Sequence, residues 1–449
     1  MSKKIAFIDW SNFPFGGVTT YISNFKELAE KEGHILDIFS FSKGRLKKRF
    51  EPTENKQNGT VFLEFTKKDI EDLFNKLNDY DFVCFVQAPG QSNFKRKERD
   101  QILEKYKSLD VLKGFQAHIF DKPTSPFTSQ LIDYCVSADV LFTRDDDDNL
   151  TSTVAAKKLG KTIIPITLYS DLDKYIDDSI EKETKILFRG RMEFNKRPHR
   201  LGDLSYHLKH IPGLKFHLMG IDNGLGALSV IHTKEWSRTF RFPEREGGWV
   251  DVTPSFPFEE GIKEMQKSLF GYAPRNKLSG SYLEYSQIEV LQCGGIPILH
   301  KYEGENSYLE DGTRWIDIPY FAIWLDEKDY EGTAKQIIKV LNDEELQEKY
   351  RSTAKKLLAP TMDENIFKTH LEILFKAEKT NHTIEEFLRK LDWNEEKIEQ
   401  FIEVNSKWMI CPWVDYLKSK EIFLYVERSR KPVNLDSILN GEDTRKPRE

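Results

Sequence analysis

The sequence predicts an α/β protein of two Rossmann-like domains that face each other across a cleft, with a helical extension at the C-terminal end. Three observations lead there. The chain has 449 residues, too many for one core of ordinary size and enough for two. Short apolar runs alternate with stretches of helical spacing through its first third, the pattern of βαβ units built on a parallel sheet. The same alternation begins again after a charged interval, DLDKYIDDSIEKET (171–184). The expected domains are therefore 1–170 and 171–375, with an extension over 376–449.

The elements follow in order. KKIAFIDW (3–10) reads as a buried strand, and TTYISNFKELAEKEG (19–33) as an amphipathic helix closed by Gly33, since glycine suits the left-handed position after a helix. HILDIFSF, FVCFVQAP, KGFQAHIF, ADVLFTR and TIIPITL are further strand-like runs. KDIEDLFNKLND (68–79) and LTSTVAAKKLG (150–160) are helices among them. In the second half KILFRGR is a strand, HRLGDLSYHLKHI a helix and KFHLMGID a strand. LEYSQIEVLQCGGIPIL (283–299) supplies a helix, a glycine turn and another strand. The segment WSRTFRFPEREGGWVDVTPSFPF (236–258) reads as a loop whose aromatics and arginines suit stacking on a base or packing on the surface. TIEEFLRKLDWNEEKIEQFIE (383–403) is helical, and a basic tail with prolines, 428–449, follows.

Hydrophobic residues make up 39% and charged residues 31%, which excludes a disordered chain. No apolar run approaches the roughly 18 residues that span a bilayer. The first ten residues enter strand-like sequence without a signal-peptide pattern. Cys84, Cys135, Cys293 and Cys411 match neither zinc spacing nor a disulfide framework. The expectation is a cytoplasmic protein. The net charge of −6 does not favour nucleic acid, but binding follows local potential. Basic clusters occur at 42–50, 94–99 and 188–200.

Ligands in doubly wound folds sit outside the carboxyl ends of the strands, and several motifs fall there. Phe15-Gly16-Gly17-Val18 follows the first strand and opens the first helix. Its glycines allow backbone to approach a ligand closely, although a plain strand–helix turn fits as well. It is not GxGxxG, and no acidic residue follows the second strand, so a dinucleotide site is not expected. Gly190-Arg191 follows the first strand of the second domain, with Lys196 five residues on. Two cations there suit a diphosphate, the arginine as a planar fork and the lysine as a point charge. Glu284 and Glu289 point about 140° apart on a helix, so they are not a paired acid and base. Glu289, nearer the helix's end, can accept two hydrogen bonds from a ribose diol. The helix is expected to start near 277–281, where free N–H groups around Ser281 suit phosphate. Asp145-Asp146-Asp147-Asp148 contains a D-x-D capable of holding Mg²⁺ or Mn²⁺. Such a run is read here as a solvated loop or helix start, so no metal site is expected.

A glycine loop, an Arg/Lys pair and a ribose-type glutamate fit one ligand, a nucleotide diphosphate sugar. FGGVTTYI, GRMEFNK, FGYAPRNKL, LEYSQIEVLQCGGIPIL, YEGENSYL and IWLDEKD resemble, in this order, the GT-B glycosyltransferases. More narrowly they resemble the family of T-even phage DNA α-glucosyltransferases, which glycosylate 5-hydroxymethylcytosine. The resemblance runs to about residue 360. It implies a GT-B fold and transfer from a UDP-sugar, glucose or a pentose such as arabinose, to hydroxymethylcytosine in duplex DNA. It implies retention of configuration, no cofactor beyond the donor, a monomer, and the cytoplasm of an infected bacterium. Arg191 and Lys196 would hold the diphosphate and Glu289 the ribose. Gly16, Gly17, Val18, Tyr272, Ser281 and Glu284 complete the implied donor contacts.

The family carries a His-Asp pair where this chain has Gln116-Ala117-His118. His118 remains the acceptor-side candidate, as base or orienting donor, and it suits a structural role equally. Lys47, Lys48, Arg49, Lys95 and Arg96 are the candidate DNA contacts. Three alternatives stay open: a glycan, lipid or small-molecule acceptor, a second sugar added to glycosylated DNA, and a binding protein without activity.

Overall fold

The computed structural model describes residues 2–10, 17–42, 60–64, 67–89, 94, 96–116, 128–144, 151–166, 168–191, 199–221, 250–253, 258–273, 285–301, 315–358, 362–383, 386–387 and 390. The first domain runs β1 (Lys4–Asp9), α1 (Gly17–Lys31), β2 (Ile35–Ser42), β3 (Thr60–Glu64), α2 (Lys67–Leu77), β4 (Phe82–Val86), α3 (Arg96–Ser108), β5 (Leu112–Gln116), α4 (Thr128–Ser137), β6 (Val140–Arg144), α5 (Thr151–Lys158) and β7 (Thr162–Ile166). Its strands lie in the order β3-β2-β1-β4-β5-β6-β7. The second runs β8 (Glu183–Arg191), α6 (His199–Leu208), β9 (Lys215–Ile221), β10 (Val250–Thr253), α7 (Phe258–Lys267), β11 (Ser268–Tyr272), α8 (Tyr285–Gln292), β12 (Ile296–His300), β13 (Ile323–Leu325), α9 (Tyr330–Leu341) and α10 (Glu344–Leu358). Its order is β10-β9-β8-β11-β12-β13. A last helix, α11 (Glu364–Lys376), follows.

The strand pairings are parallel in both sheets. The strand order reverses at β1 in the first sheet and at β8 in the second. Such switch points open a crevice beyond the strands' carboxyl ends. Parallel sheets are covered on both faces, so their strands read as continuous apolar runs. In β1, Ala6 and Ile8 meet the cluster under α2, α3 and α4, while Ile5 and Phe7 meet the cluster under α1. The second sheet is likewise covered by α6 and α9 on one face and by α7, α8 and α10 on the other.

The strands 60–64, 250–253, 268–272 and 323–325 and the helix 258–267 were not among the expected elements. The expected loop 236–258 gives way to β10, which pairs with β9 in register Val250 to Phe216. β10 and β13 are four and three residues long, too short for an alternating pattern to stand out.

After the second domain the chain returns to the first. Phe367, Leu371 and Leu374 of α11 join the core cluster under α1. Beyond it, Lys379 pairs with Asp110 at 2.6 Å. Asp139 accepts from the Thr380 amide at 2.7 Å, and Lys161 donates to the Thr380 hydroxyl at 3.0 Å. Phe387 is fully buried in the other core cluster of the first domain. The start of the C-terminal extension is thus anchored to the first domain, and 391–449 lie outside the described residues.

Candidate active site

The site is built on the stretch that joins α8 to β12. α8 ends in a Schellman motif. The Gly295 amide donates to the Val290 carbonyl and the Gly294 amide to the Leu291 carbonyl, both at 2.9 Å. Gly294 has φ of 68°, the left-handed conformation that the motif requires at this position. Lys182 donates to the Cys293 carbonyl at 2.6 Å and to the Ser268 carbonyl at 3.2 Å, a cation at the negative end of the helix. Burial brings its pKa down to about 8. α8 lies tight on β11: a Cβ at Gly271 would come within 2.4 Å of a Val290 methyl. The absence of a side chain at 271 lets the helix approach, and that approach sets the height of its next turn.

That turn carries Glu289. It is 8% exposed, and its Oε2 sits 2.5 Å from Nη1 of Arg189 on β8. The Arg189 guanidinium also lies 5.0 Å from the centre of the Phe258 ring, within cation–π range. Burial holds the Glu289 carboxyl above its usual range, and Arg189 offsets part of that shift. Arg189 is the residue that the sequence reading missed. Its signal was available, because side chains two apart on a strand share a face, and Arg191 was already a candidate.

A second polar chain lies behind the carboxyl ends of β11 and β12. The Tyr272 hydroxyl is 2.5 Å from Nε2 of His300, and Nδ1 of His300 is 3.2 Å from Glu327. Glu327 pairs with Arg200 at 2.9 Å, and Arg200 with Asp203 at 2.9 Å. Tyr272 is 1% exposed and belongs to the second domain's core.

Arg191 ends β8 and Gly17 opens α1; Val18 is half-buried against the core under α1. Tyr285, the first residue of α8, packs into that same first-domain core. α1, β8 and α8 therefore come to one interdomain region. Gly16, His118, Lys196, Ser281 and Glu284 lie outside the described residues, as do Lys47, Lys48, Arg49, Lys95 and Asp145–Asp148, and so do the side chains of Arg191 and Arg96. Within the basic cluster at 94–99, Phe94 and Arg99 are buried, Phe94 edge-on against Trp10. Part of that cluster is core rather than surface. α8 is described from Tyr285, with the expected start at 277–281 outside the described residues. No group of three or more His, Cys, Asp or Glu suited to a metal occurs among the described residues. No helix among them is long and apolar enough to cross a membrane.

The family model of DNA α-glucosyltransferase matches residues 251–345. The DNA α-glucosyltransferase of enterobacteria phage T4 is 34% identical over 149 residues, 30% of this chain. That match spans 37% of the relative's length. A solved α-glucosyltransferase, in complex with UDP-glucose and DNA containing an abasic site, shares the fold at TM-score 0.64 and 19% identity. The superposition covers 84% of this chain and all of that one. HepE of Anabaena, in complex with UDP-glucose, shares it at TM-score 0.61 and 15% identity, over 83% of this chain and 99% of that one. The chain thus has the GT-B fold, and the sequence of its second domain is similar to the DNA α-glucosyltransferases.

Proposed function

We propose that this protein is a glycosyltransferase that moves a sugar from a UDP-sugar to a hydroxymethylated base in duplex DNA. The observation that carries the reading is the buried Glu289, paired with Arg189 one turn before the Gly294 turn. It lies inside the very stretch that is similar to the DNA α-glucosyltransferases. A carboxylate held by one oxygen keeps the other for a ribose hydroxyl. Arg191, two residues beyond Arg189, and Lys196 would then meet the diphosphate.

In this reading the bond from the anomeric carbon to the diphosphate oxygen breaks. A new bond forms from that carbon to the hydroxymethyl oxygen on the same face, and configuration is retained. The acceptor proton passes to the departing diphosphate, with His118 orienting the hydroxyl. Arg191 and Lys196 stabilise the charge that develops on the leaving group, the task a metal performs in other transferases. The acceptor base is 5-hydroxymethylcytosine, the sugar glucose or a pentose such as arabinose. The enzyme works as a monomer in the cytoplasm of an infected bacterium, without a metal.

Incubation of hydroxymethylcytosine DNA with a panel of UDP-sugars, followed by mass spectrometry of the nucleosides, tests the reading. One sugar mass added to hydroxymethylcytidine is expected. Modification of free glycans with untouched DNA would favour the second reading, a different acceptor, which draws on the fold shared with the Anabaena protein.

A further inference from the structure

Gln116 is the last residue of β5 and is 0% exposed, yet neither atom of its side-chain amide has a hydrogen-bond partner among the described residues. Buried amides are normally satisfied, and an orphaned one costs stability. Its neighbour on β4 is also unusual. Gln87, just past that strand's carboxyl end, has φ of 63°, a conformation that non-glycine residues adopt rarely and often at functional sites. The two meet through the Gln87 amide, which donates to the Gln116 carbonyl at 3.4 Å.

The register gives the direction. Gly114, two residues earlier on β5, lies against the Phe82 ring, and Phe82 belongs to the core cluster under α1 that also takes Tyr285 of α8. Side chains two apart share a face. Gln116 therefore lies on the face of the first sheet that meets the second domain, and at the end of the sheet where ligands bind.

We propose that the Gln116 amide is an acceptor-side contact that pairs with the hydrogen-bonding edge of the pyrimidine that carries the hydroxymethyl group. The inference rests on the proposed function. An amide presents a donor and an acceptor side by side. The edge of a base turned out of the stack presents the complementary pair, a ring nitrogen beside an exocyclic amino or carbonyl group. Gln116 stands on the first sheet, whereas Arg189 and Glu289 belong to the second domain, so its partner is the acceptor rather than the nucleotide. By rotating its amide it can match either a cytosine or a uracil edge. A carboxylate in its place accepts only, so on either base it would repel one member of the pair, the ring nitrogen of cytosine or the carbonyl of uracil.

The test uses the full chain, UDP-glucose, and duplexes carrying one hydroxymethylcytosine or one hydroxymethyluracil. Gln116→Met keeps the volume and removes an unsatisfied amide, so its Tm should equal or exceed the wild type's. Its kcat/KM for modified DNA should fall ~10- to 100-fold, the size of one or two lost hydrogen bonds in a dry site. That fall should be at least ten times the fall in UDP-glucose hydrolysis by water. Gln116→Glu should lose transfer on both duplexes, because its carboxylate cannot donate to the acceptor atom of either edge. Wild-type transfer in Gln116→Met, or parallel loss of transfer and hydrolysis in both variants, would overturn the assignment. If wild type itself leaves both duplexes unmodified with every UDP-sugar, it is the proposed function that fails.

Discussion

Arg189 on β8 and Glu289 on α8 lie 100 residues apart in sequence and meet at 2.5 Å with both side chains nearly buried. The pair ties the second domain's central strand to the helix that carries the candidate ribose contact. Removing one member leaves the other as an uncompensated buried charge. Arg189→Met should therefore cost about 3–5 kcal/mol of stability, more than the double variant Arg189→Met/Glu289→Leu. Urea unfolding of the three proteins measures the difference, and equal losses in the single and double variants would count against the coupling.

The same pair sets a pH dependence. The folded pKa of Glu289 is raised above 4.5 by burial. Its contribution to stability is thus fully present below the unfolded pKa and is lost as pH rises through the folded value. Arg189→Met removes the offsetting cation, so its stability should fall more steeply than wild type's as pH rises from about 4.5. Glu289→Gln should flatten that part of the profile. Thermal unfolding across this range reads both slopes.

Gly271 makes a packing prediction with an activity readout. Gly271→Ala drives a methyl into Val290, which should cost about 1–3 kcal/mol and lift the α8 turn that carries Glu289. The KM for UDP-sugar should rise. Val290→Ala in the same chain should recover part of both losses. No recovery would mean that the strain lies elsewhere.

How far the sequence disclosed all this depends on the kind of signal. Apart from β3, the strands from KKIAFIDW to TIIPITL were legible because a strand buried on both faces needs an unbroken apolar run. β10 and β13 were not, because their partners rather than their own pattern make them strands. Glu289 was legible from its distance to the glycine turn, whereas Arg189 was hidden in a basic cluster that reads equally well as surface. The Gln116 amide could not be singled out from a sequence at all. A glutamine at a strand end is ordinary until its burial and lack of partners are known. The return of α11 to the first domain was also illegible, since an amphipathic helix does not say which sheet it will cover.

Lys161 extends the argument to the C-terminal segment. It donates to the Val136 and Ala138 carbonyls as well as to Thr380, and burial brings its pKa down to about 8 from 10.5. A depressed lysine contributes stability that is present above the unfolded pKa and lost as pH falls through the folded value. Wild-type stability should therefore gain about 3 kcal/mol between pH 8 and 10.5 from this group. Lys161→Met should lack that rise. Phe387→Ala, at the end of the anchored segment, should cost about 3–5 kcal/mol through the cavity it leaves. Circular dichroism melts of the full chain check both, and an unchanged Tm in Phe387→Ala would detach the segment from the first domain's core.

The last prediction concerns charge at the proposed reaction centre. Glu289→Ala deprives a ribose diol of its acceptor, so UDP-sugar binding should weaken with a smaller effect on turnover. Arg191→Ala and Lys196→Ala should do the opposite, because charge on the diphosphate grows as the anomeric bond breaks. Loss of one such contact costs ~3–4 kcal/mol of barrier, or about 10²–10³ in kcat. If side-chain cations take the place of a metal, EDTA should leave single-turnover rates intact, and Asp145→Asn with Asp147→Asn should change little. The DNA side should separate cleanly from this. Reversing the charge of Lys47, Lys48 and Arg49 should weaken duplex binding and flatten its salt dependence, because each lost phosphate contact releases one counterion fewer. UDP-sugar hydrolysis should be unaffected by that change. Wild-type turnover in Arg191→Ala or Lys196→Ala would move the diphosphate elsewhere. EDTA-sensitive activity restored by Mn²⁺ would move it to the four aspartates.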